Sequence, residues 1–274
     1  PMTDPNLVRV LQAQTARQVG LIDHAVVARG EAAIRERIAA LREQGVSIAI
    51  VDAVSNDDLL RLGPALRDMA LVTAGSGVAI ALPANFGIAP SSQAAVLPPA
   101  SGLKAIVSGS CSVATNQQVM HFIQSGRPAL AIDPLRIAAG VDVCAEALAW
   151  AGDKIAGGPV LIYSTADTSA VKSIQSKLGV EAAGTLVEQT IAGIARGLVE
   201  LGVRQLVVAG GETSGACVQA LEIAQMRIGG QIDPGVPWCH ALSPAAPDGL
   251  HITLKSGNFG TADFFTKAFA ACAA

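Results

Sequence analysis

Short runs of valine, isoleucine and leucine alternate along this chain with longer stretches in which apolar residues recur every three or four positions. The first kind of run reads as a strand, the second as an amphipathic helix. Residues 18–22 predict a short strand, and 31–44 a charged helix with Ile34, Ile38 and Leu41 on one face. Residues 46–54 are apolar almost throughout, as in a parallel strand covered on both sides. Ser55-Asn56-Asp57-Asp58 then caps a helix running to Met69, because short polar side chains accept the first unpaired amides and acids suit the positive end of the dipole. Residues 70–74 read as a third strand, leading into Gly75-Ser76-Gly77 and a further helix.

Residues 88–102 carry Pro90, Ser91, Ser92, Pro98, Pro99, Ser101 and Gly102 without periodicity, and read as a linker. Beyond it, strands at 103–108, 129–132, 160–163 and 205–209 alternate with helices at 112–124, 141–156, 182–201 and 213–223. The end departs from that rhythm: 226–228 and 250–255 read as strands with no helix between them, and 262–274 as a closing helix. Such alternation predicts an α/β chain of two lobes with mainly parallel sheets, divided as residues 1–97 and 98–274. Ligands of such sheets sit beyond the carboxyl ends of the strands, so the strand-to-helix turns are where chemistry is sought.

Composition narrows the field. The 274 residues are 51% hydrophobic and only 3% aromatic, which excludes disorder and argues against stacking grooves for sugars or bases. Lys and Arg total 19 against 22 Asp and Glu, with no basic run, so nothing supports a nucleic-acid surface. Cys111, Cys144, Cys217, Cys239 and Cys272 are odd in number and widely spaced, as expected of a reduced cytoplasmic chain without a zinc site. The longest uncharged stretch, 71–103, is broken by Pro83, Pro90, Pro98 and Pro99, and its cleanest apolar part falls short of the ~20 residues that span a bilayer. The N-terminus shows no signal pattern. A soluble protein without membrane partners is expected, with a symmetric dimer as the default assembly.

Three turns could carry chemistry. At Val207-Val208-Ala209-Gly210-Gly211-Glu212-Thr213-Ser214-Gly215 an apolar strand ends in two glycines and a helix opens. Glycine lets a phosphate approach the backbone, unpaired amides attract it, and Thr213 and Ser214 add hydroxyl donors. Glu212 is a candidate Mg²⁺ ligand, since Mg²⁺ keeps several waters and takes few protein ligands. A glycine turn with a Thr/Ser cap accounts for the same residues. Ser108-Gly109-Ser110-Cys111-Ser112, followed by Thr115, Asn116 and Gln117, makes a second polar nest or a serine-capped helix. Lys255-Ser256-Gly257-Asn258-Phe259-Gly260 is the third: its lysine could offset phosphate charge, or it is a plain turn into the last helix. Gly75-Ser76-Gly77 is the comparable feature of the first lobe. No P-loop and no Gly-x-Ser-x-Gly elbow occurs. The four histidines are scattered singly, Cys111 reads as a buried helix thiol, and Asp133, Asp142 and Asp167 sit where capping is the default role.

Taken together with Pro1-Met2-Thr3-Asp4-Pro5-Asn6-Leu7-Val8, and with Ala114, Thr115 and Gln118, these turns resemble the four-carbon acid sugar kinase family in its 3-oxo-tetronate kinase branch. The resemblance implies ATP-dependent phosphorylation of the 4-hydroxyl of a 3-oxo-tetronate, with the sugar acid in the N-terminal lobe and ATP in the C-terminal one. By position it implies ATP contacts at Ser110, Glu212, Thr213, Ser214, Gly215 and Gly257; the glycine- and serine-rich turns themselves add Ser108, Gly210 and Gly211 as candidate nucleotide contacts, and Gly75, Ser76 and Gly77 are the candidates for the sugar acid. The family's opening Asp-Asp-Phe-Thr-Gly-Ala loop has no counterpart here, so the chain resembles the rear of the substrate lobe followed by a complete nucleotide lobe. Two other functions stay open: a nucleotide-binding module without catalysis, and a sugar-acid aldolase or isomerase that needs no nucleotide.

Overall fold

The structure, a computed structural model, describes residues 3–165 and 179–272. Asp167 and the first two residues lie outside that range. The chain divides into two compact units, Pro1–Pro90 and Ser91–Ala274.

The first unit runs α1 (Leu7–Gln12), β1 (Val19–Ile22), α2 (His24–Ala28), α3 (Glu31–Glu43), β2 (Ile48–Val51) and α4 (Asn56–Ala65). The strands pair in parallel, Val19 opposite Ile48 and Ile22 opposite Val51. Ile22, Val27, Ile34, Leu41 and Leu62 close the core. Ser55 and Asp58 cap α4 reciprocally, each side chain bonded to the other's backbone amide. This helix ends at Ala65 instead of Met69, just after Pro64, whose ring removes a backbone donor. The strand expected over 46–54 shortens to four residues because its partner offers only four. Residues 70–74 form no strand: the sheet here has two members, leaving nothing for them to pair with, and Leu71 is exposed. Ser76–Ile80 is a short 3₁₀ turn where a helix is expected.

The second unit runs β3 (Leu103–Ser108), α5 (Val113–Gln124), β4 (Ala129–Ala131), α6 (Pro134–Ala138), α7 (Val143–Gly152), β5 (Val160–Tyr163), α8 (Val180–Glu200), β6 (Val203–Ala209), α9 (Gly211–Ala220), β7 (Met226–Asp233), β8 (Val236–Ser243), β9 (Ala246–Lys255) and α10 (Phe264–Cys272). Among the described residues its seven strands are ordered β4-β5-β3-β6-β9-β8-β7. The first five run parallel, and β8 and β7 add an antiparallel edge. The fold is therefore α/β with a mostly parallel sheet. Ile191, Ile194 and Leu198 of α8 cover one face beside Ala147 and Cys217, while Phe122 of α5 and Phe264 and Phe269 of α10 cover the other. Strand β8 is the strand that periodicity misses, since Pro237 interrupts its run and a tight hairpin replaces the helix that spaces the other strands; the short helices α1, α2 and α6 are likewise unanticipated. Among the described residues no helix is long and apolar enough to cross a membrane.

Candidate functional site

Strands β3, β6 and β9 lie side by side and point the same way. Their last residues share one level: Ser108 is opposite Ala209, and Ala209 is opposite Lys255. Whatever follows each strand must leave the sheet at the same end, so register alone brings together three turns that lie far apart in sequence. The Gly109 amide donates to Ala209 O at 3.0 Å and the Gly210 amide to Lys255 O at 2.8 Å, carrying the ladder one residue into each turn.

The turns touch, and they can do so because they are made of glycine. A Cβ on Gly109 would collide with Thr213 Oγ1, and one on Gly210 would meet the same hydroxyl and come within 3.3 Å of Ser110 N. A Cβ on Gly257 would meet Ser110 Oγ at 2.6 Å and Ser112 Oγ at 3.1 Å. Gly210 also holds φ at +127°, where side chains are strained. Gly211 and Gly215 differ, because nothing lies within 4 Å of their Cβ positions.

Two helices begin at this junction. Ser112 caps α5, accepting from the Thr115 amide at 3.2 Å. Helix α9 has no side-chain cap, so the amides of its first turn and the positive end of its dipole stay available. Thr213 and Ser214 are buried in that turn, and Ser214 Oγ has no hydrogen-bond partner among the described residues, a cost that a bound acceptor would remove. Ser110 completes the contact between the first and third turns.

Not every expected ligand is placed to act as one. Ser108 is fully buried, its hydroxyl 2.7 Å from Thr165 Oγ1, because alternation along β3 turns it into the sheet face. It braces the turn instead of reaching a ligand. Lys255 does not offer its charge at the surface: it is fully buried beneath the third turn, and burial pushes its ammonium down to about 8. Cys111 is exposed on the second turn and not a buried helix thiol. Glu212 is exposed at the start of α9, facing Glu188 of α8, whose carboxyl is raised by burial and then by the charge and hydrogen bond of Glu212. Among the described residues no group of three metal-binding side chains forms. Gly75, Ser76 and Gly77 lie in the first unit, where Gly77 backs onto Leu59. Asp133 and Asp142 cap α6 and α7.

Sequence reasoning did not anticipate how the third turn is held. Gln118 Nε2 donates to the carbonyls of Phe259, Gly260 and Thr261 at 3.0–3.1 Å, and Ser112 Oγ and Thr115 Oγ1 both donate to Gly257 O. The available signal was Ser112, Thr115 and Gln118 recurring every third residue, a polar stripe on a helix that also buries Val119 and Phe122.

Comparison with known proteins bears on both units. Residues 1–82 match a sugar-binding N-terminal domain and residues 105–265 a nucleotide-binding C-terminal domain. A 3-oxo-tetronate kinase of Cupriavidus necator is 53% identical over 272 residues, covering 98% of this chain and 62% of that protein. One from Pseudomonas fluorescens is 51% identical over 271 residues, again 98% and 62%. The chain thus spans under two thirds of the length of these curated relatives. A crystal structure of a Haemophilus influenzae protein matches with TM-score 0.67 and 36% identity, over 98% of this chain and 64% of the other. A Salmonella typhimurium LT2 protein, provisionally described as a tRNA synthase, matches with TM-score 0.75 and 36% identity over 98% and 63%.

Proposed function

This chain belongs to the four-carbon acid sugar kinase family, and on that premise we propose that its second unit holds ATP at the three convergent turns while the first unit contributes to the sugar-acid site. The protein would transfer the γ-phosphoryl group to the 4-hydroxyl of a 3-oxo-tetronate. The bond from the γ-phosphorus to the bridging oxygen breaks as the 4-oxygen bonds to phosphorus, ADP leaves, and the hydroxyl proton passes to a base. The observation that carries this reading is the meeting of Gly109, Gly210 and Gly257 at one sheet end, beside the first turns of α5 and α9. Phosphoryl transfer asks chiefly for positioning and electrostatic support, and main-chain amides with Ser110, Thr213 and Ser214 supply both.

Glu212 and Glu188 fit a divalent cation, since two acids this close repel and a dication relieves them. Mg²⁺ bound there would neutralise phosphate charge. Gly75, Ser76 and Gly77 are assigned to the sugar acid. The unpaired cysteines suit a reducing, cytoplasmic setting.

The test is calorimetric titration with ATP beside a coupled ADP-release assay with 3-oxo-tetronates, run on this chain and on one extended to the full length of its relatives. Gly211 has room for a side chain and opens α9, so Gly211→Val should fold normally yet weaken ATP binding by about 100-fold or more. Unchanged affinity would overturn the assignment. A silent binding module would bind ATP without sugar-acid-dependent ADP release at either length, and an aldolase or isomerase would ignore ATP altogether.

A further inference from the structure

Lys255, the last residue of β9, is fully buried and has no carboxylate partner among the described residues. Its three N–H groups go to Thr115 Oγ1 at 2.9 Å, Gly257 O at 3.0 Å and Ser256 O at 3.1 Å. Burying an ammonium without a counter-charge is costly, and such groups cluster where a protein uses them.

Its use follows from peptide geometry. A trans peptide holds its carbonyl and amide on opposite sides, and no cis peptide occurs among the described residues. Ser256 and Gly257 turn their carbonyls toward the ammonium, so the Gly257 and Asn258 amides face away from it. Neither amide donates to a group among the described residues. Ser112 Oγ at 2.5 Å and Thr115 Oγ1 at 2.8 Å draw in the same Gly257 carbonyl, and Gln118 gathers those of Phe259, Gly260 and Thr261. The loop is therefore held with its carbonyls inward.

We propose that Lys255 is a positioning residue for polyphosphate. It everts the Ser256–Asn258 turn so that two amides join the helix starts after Ser112 and Gly210, and it adds its charge from beneath without touching the ligand. This rests on the nucleotide reading above and deepens it, because three saturated N–H groups leave none for a phosphate oxygen. With the proton lost, the amine offers two donors to three acceptors and the turn loosens. Thr115 Oγ1 of the α5 start and the Ser256 and Gly257 carbonyls hold the ammonium, and no titratable group shifts it; burial alone does. Asp233, Asp263 and Lys267 form a separate cluster at the loop's far end.

The experiment is ATP calorimetry without sugar acid on a Cys111→Ser chain, which removes the thiol of the neighbouring turn, with and without Lys255→Met. It runs from about pH 7.5 upward, above the nucleotide's own terminal-phosphate titration. Lys255→Met should weaken ATP about tenfold at the lower pH with its melting temperature kept, as expected for one lost charge-assisted contribution. The lysine chain should lose about tenfold in affinity between about pH 7.5 and about pH 9.5, and the methionine chain should stay flat. Equal affinities, equal pH profiles, or affinity lost only in step with melting temperature would overturn the proposal. Should Lys255→Met fail to fold, the profile of the lysine chain decides alone, a flat one being fatal. ATP binding absent from the unmodified chain at every pH would instead bring down the nucleotide reading, and this proposal with it.

Discussion

The segment from Lys255 to Lys267 carries a lysine at each end, and the fold treats them in opposite ways. Lys267 is partly exposed and ion-paired, 2.5 Å from Asp233 and 3.6 Å from Asp263. Burial by itself would raise the Asp233 carboxyl, but the Lys267 hydrogen bond and the Thr261 amide outweigh it and hold the acid below its usual range. Burial likewise works against the Lys267 ammonium, and Asp233 and then Asp263 hold it above its usual range all the same. Lys255 is deeper, meets only neutral oxygens, and is pushed down to about 8. A compensated lysine clamps the loop, its charge taken up by its own acids. An uncompensated ammonium leaves its field for whatever anion arrives above it. The contrast separates a group that serves the fold from one that serves the site.

The largest effect should come from removing the compensating acid. Asp233→Ala leaves Lys267 with only the more distant Asp263, 3.6 Å away, as a charged partner and leaves the Thr261 amide, now bonded at 2.9 Å, without its acceptor. Allowing for the partial exposure of Lys267, the expected loss is roughly 2–3 kcal/mol, a melting temperature lower by about 5–10 °C. The acid's folded pKa lies below its unfolded value, so its contribution is complete above about pH 4 and vanishes as pH falls through the folded value. Denaturant titrations of the unmodified chain and Asp233→Ala should therefore differ at neutral pH and converge in strong acid. A gap that persists in acid would mean the side chain packs instead of pairing.

A smaller effect sharpens the same point. Adding Lys267→Met to Asp233→Ala removes the charge that has lost its nearer partner, so the double variant should lose about 1 kcal/mol less than the two single losses combined. Strict additivity in that cycle would break the comparison, since it would make the pair a crystal-like coincidence of geometry with no energetic coupling.

Much of this was readable in advance, and the remainder has identifiable causes. Strands β3 and β5 match their expected bounds because small or turn-forming residues, Gly102 and Gly109 for one and Gly158 and Ser164 for the other, punctuate the apolar runs. The three turns were visible as glycine beside serine, threonine and lysine. Their convergence was not, because it depends on β9 crossing back to pair with β6 after the β7–β8 hairpin, and strand order is a long-range choice. The burial of Lys255 and of Ser108 follows from that order too: both sit on the face that α5 covers, where local sequence marks them only as polar residues near a glycine. Residues 70–74 show the converse error, a run with strand character and no neighbour to pair with.

The subtlest effect concerns Lys255 in alkali, where fold and site should respond in opposite directions. Its folded pKa of about 8 lies below the ordinary lysine value of 10.5, so the folded chain sheds this proton first. Between those values the unfolded state binds more protons than the folded one, and stability rises with pH, by roughly 1 kcal/mol from about pH 8 to about pH 9. At neutral pH the charge weighs fully against the fold, so Lys255→Met should be at least as stable as the parent, and its advantage should shrink over that range. ATP affinity of the parent should meanwhile fall, because the proton that burdens the fold is the one that holds the turn open to phosphate. Paired thermal melts and titrations at each pH read both slopes. If stability and affinity declined together, Lys255 would be a clamp of the same kind as Lys267, and the buried charge would have no separate part in the site.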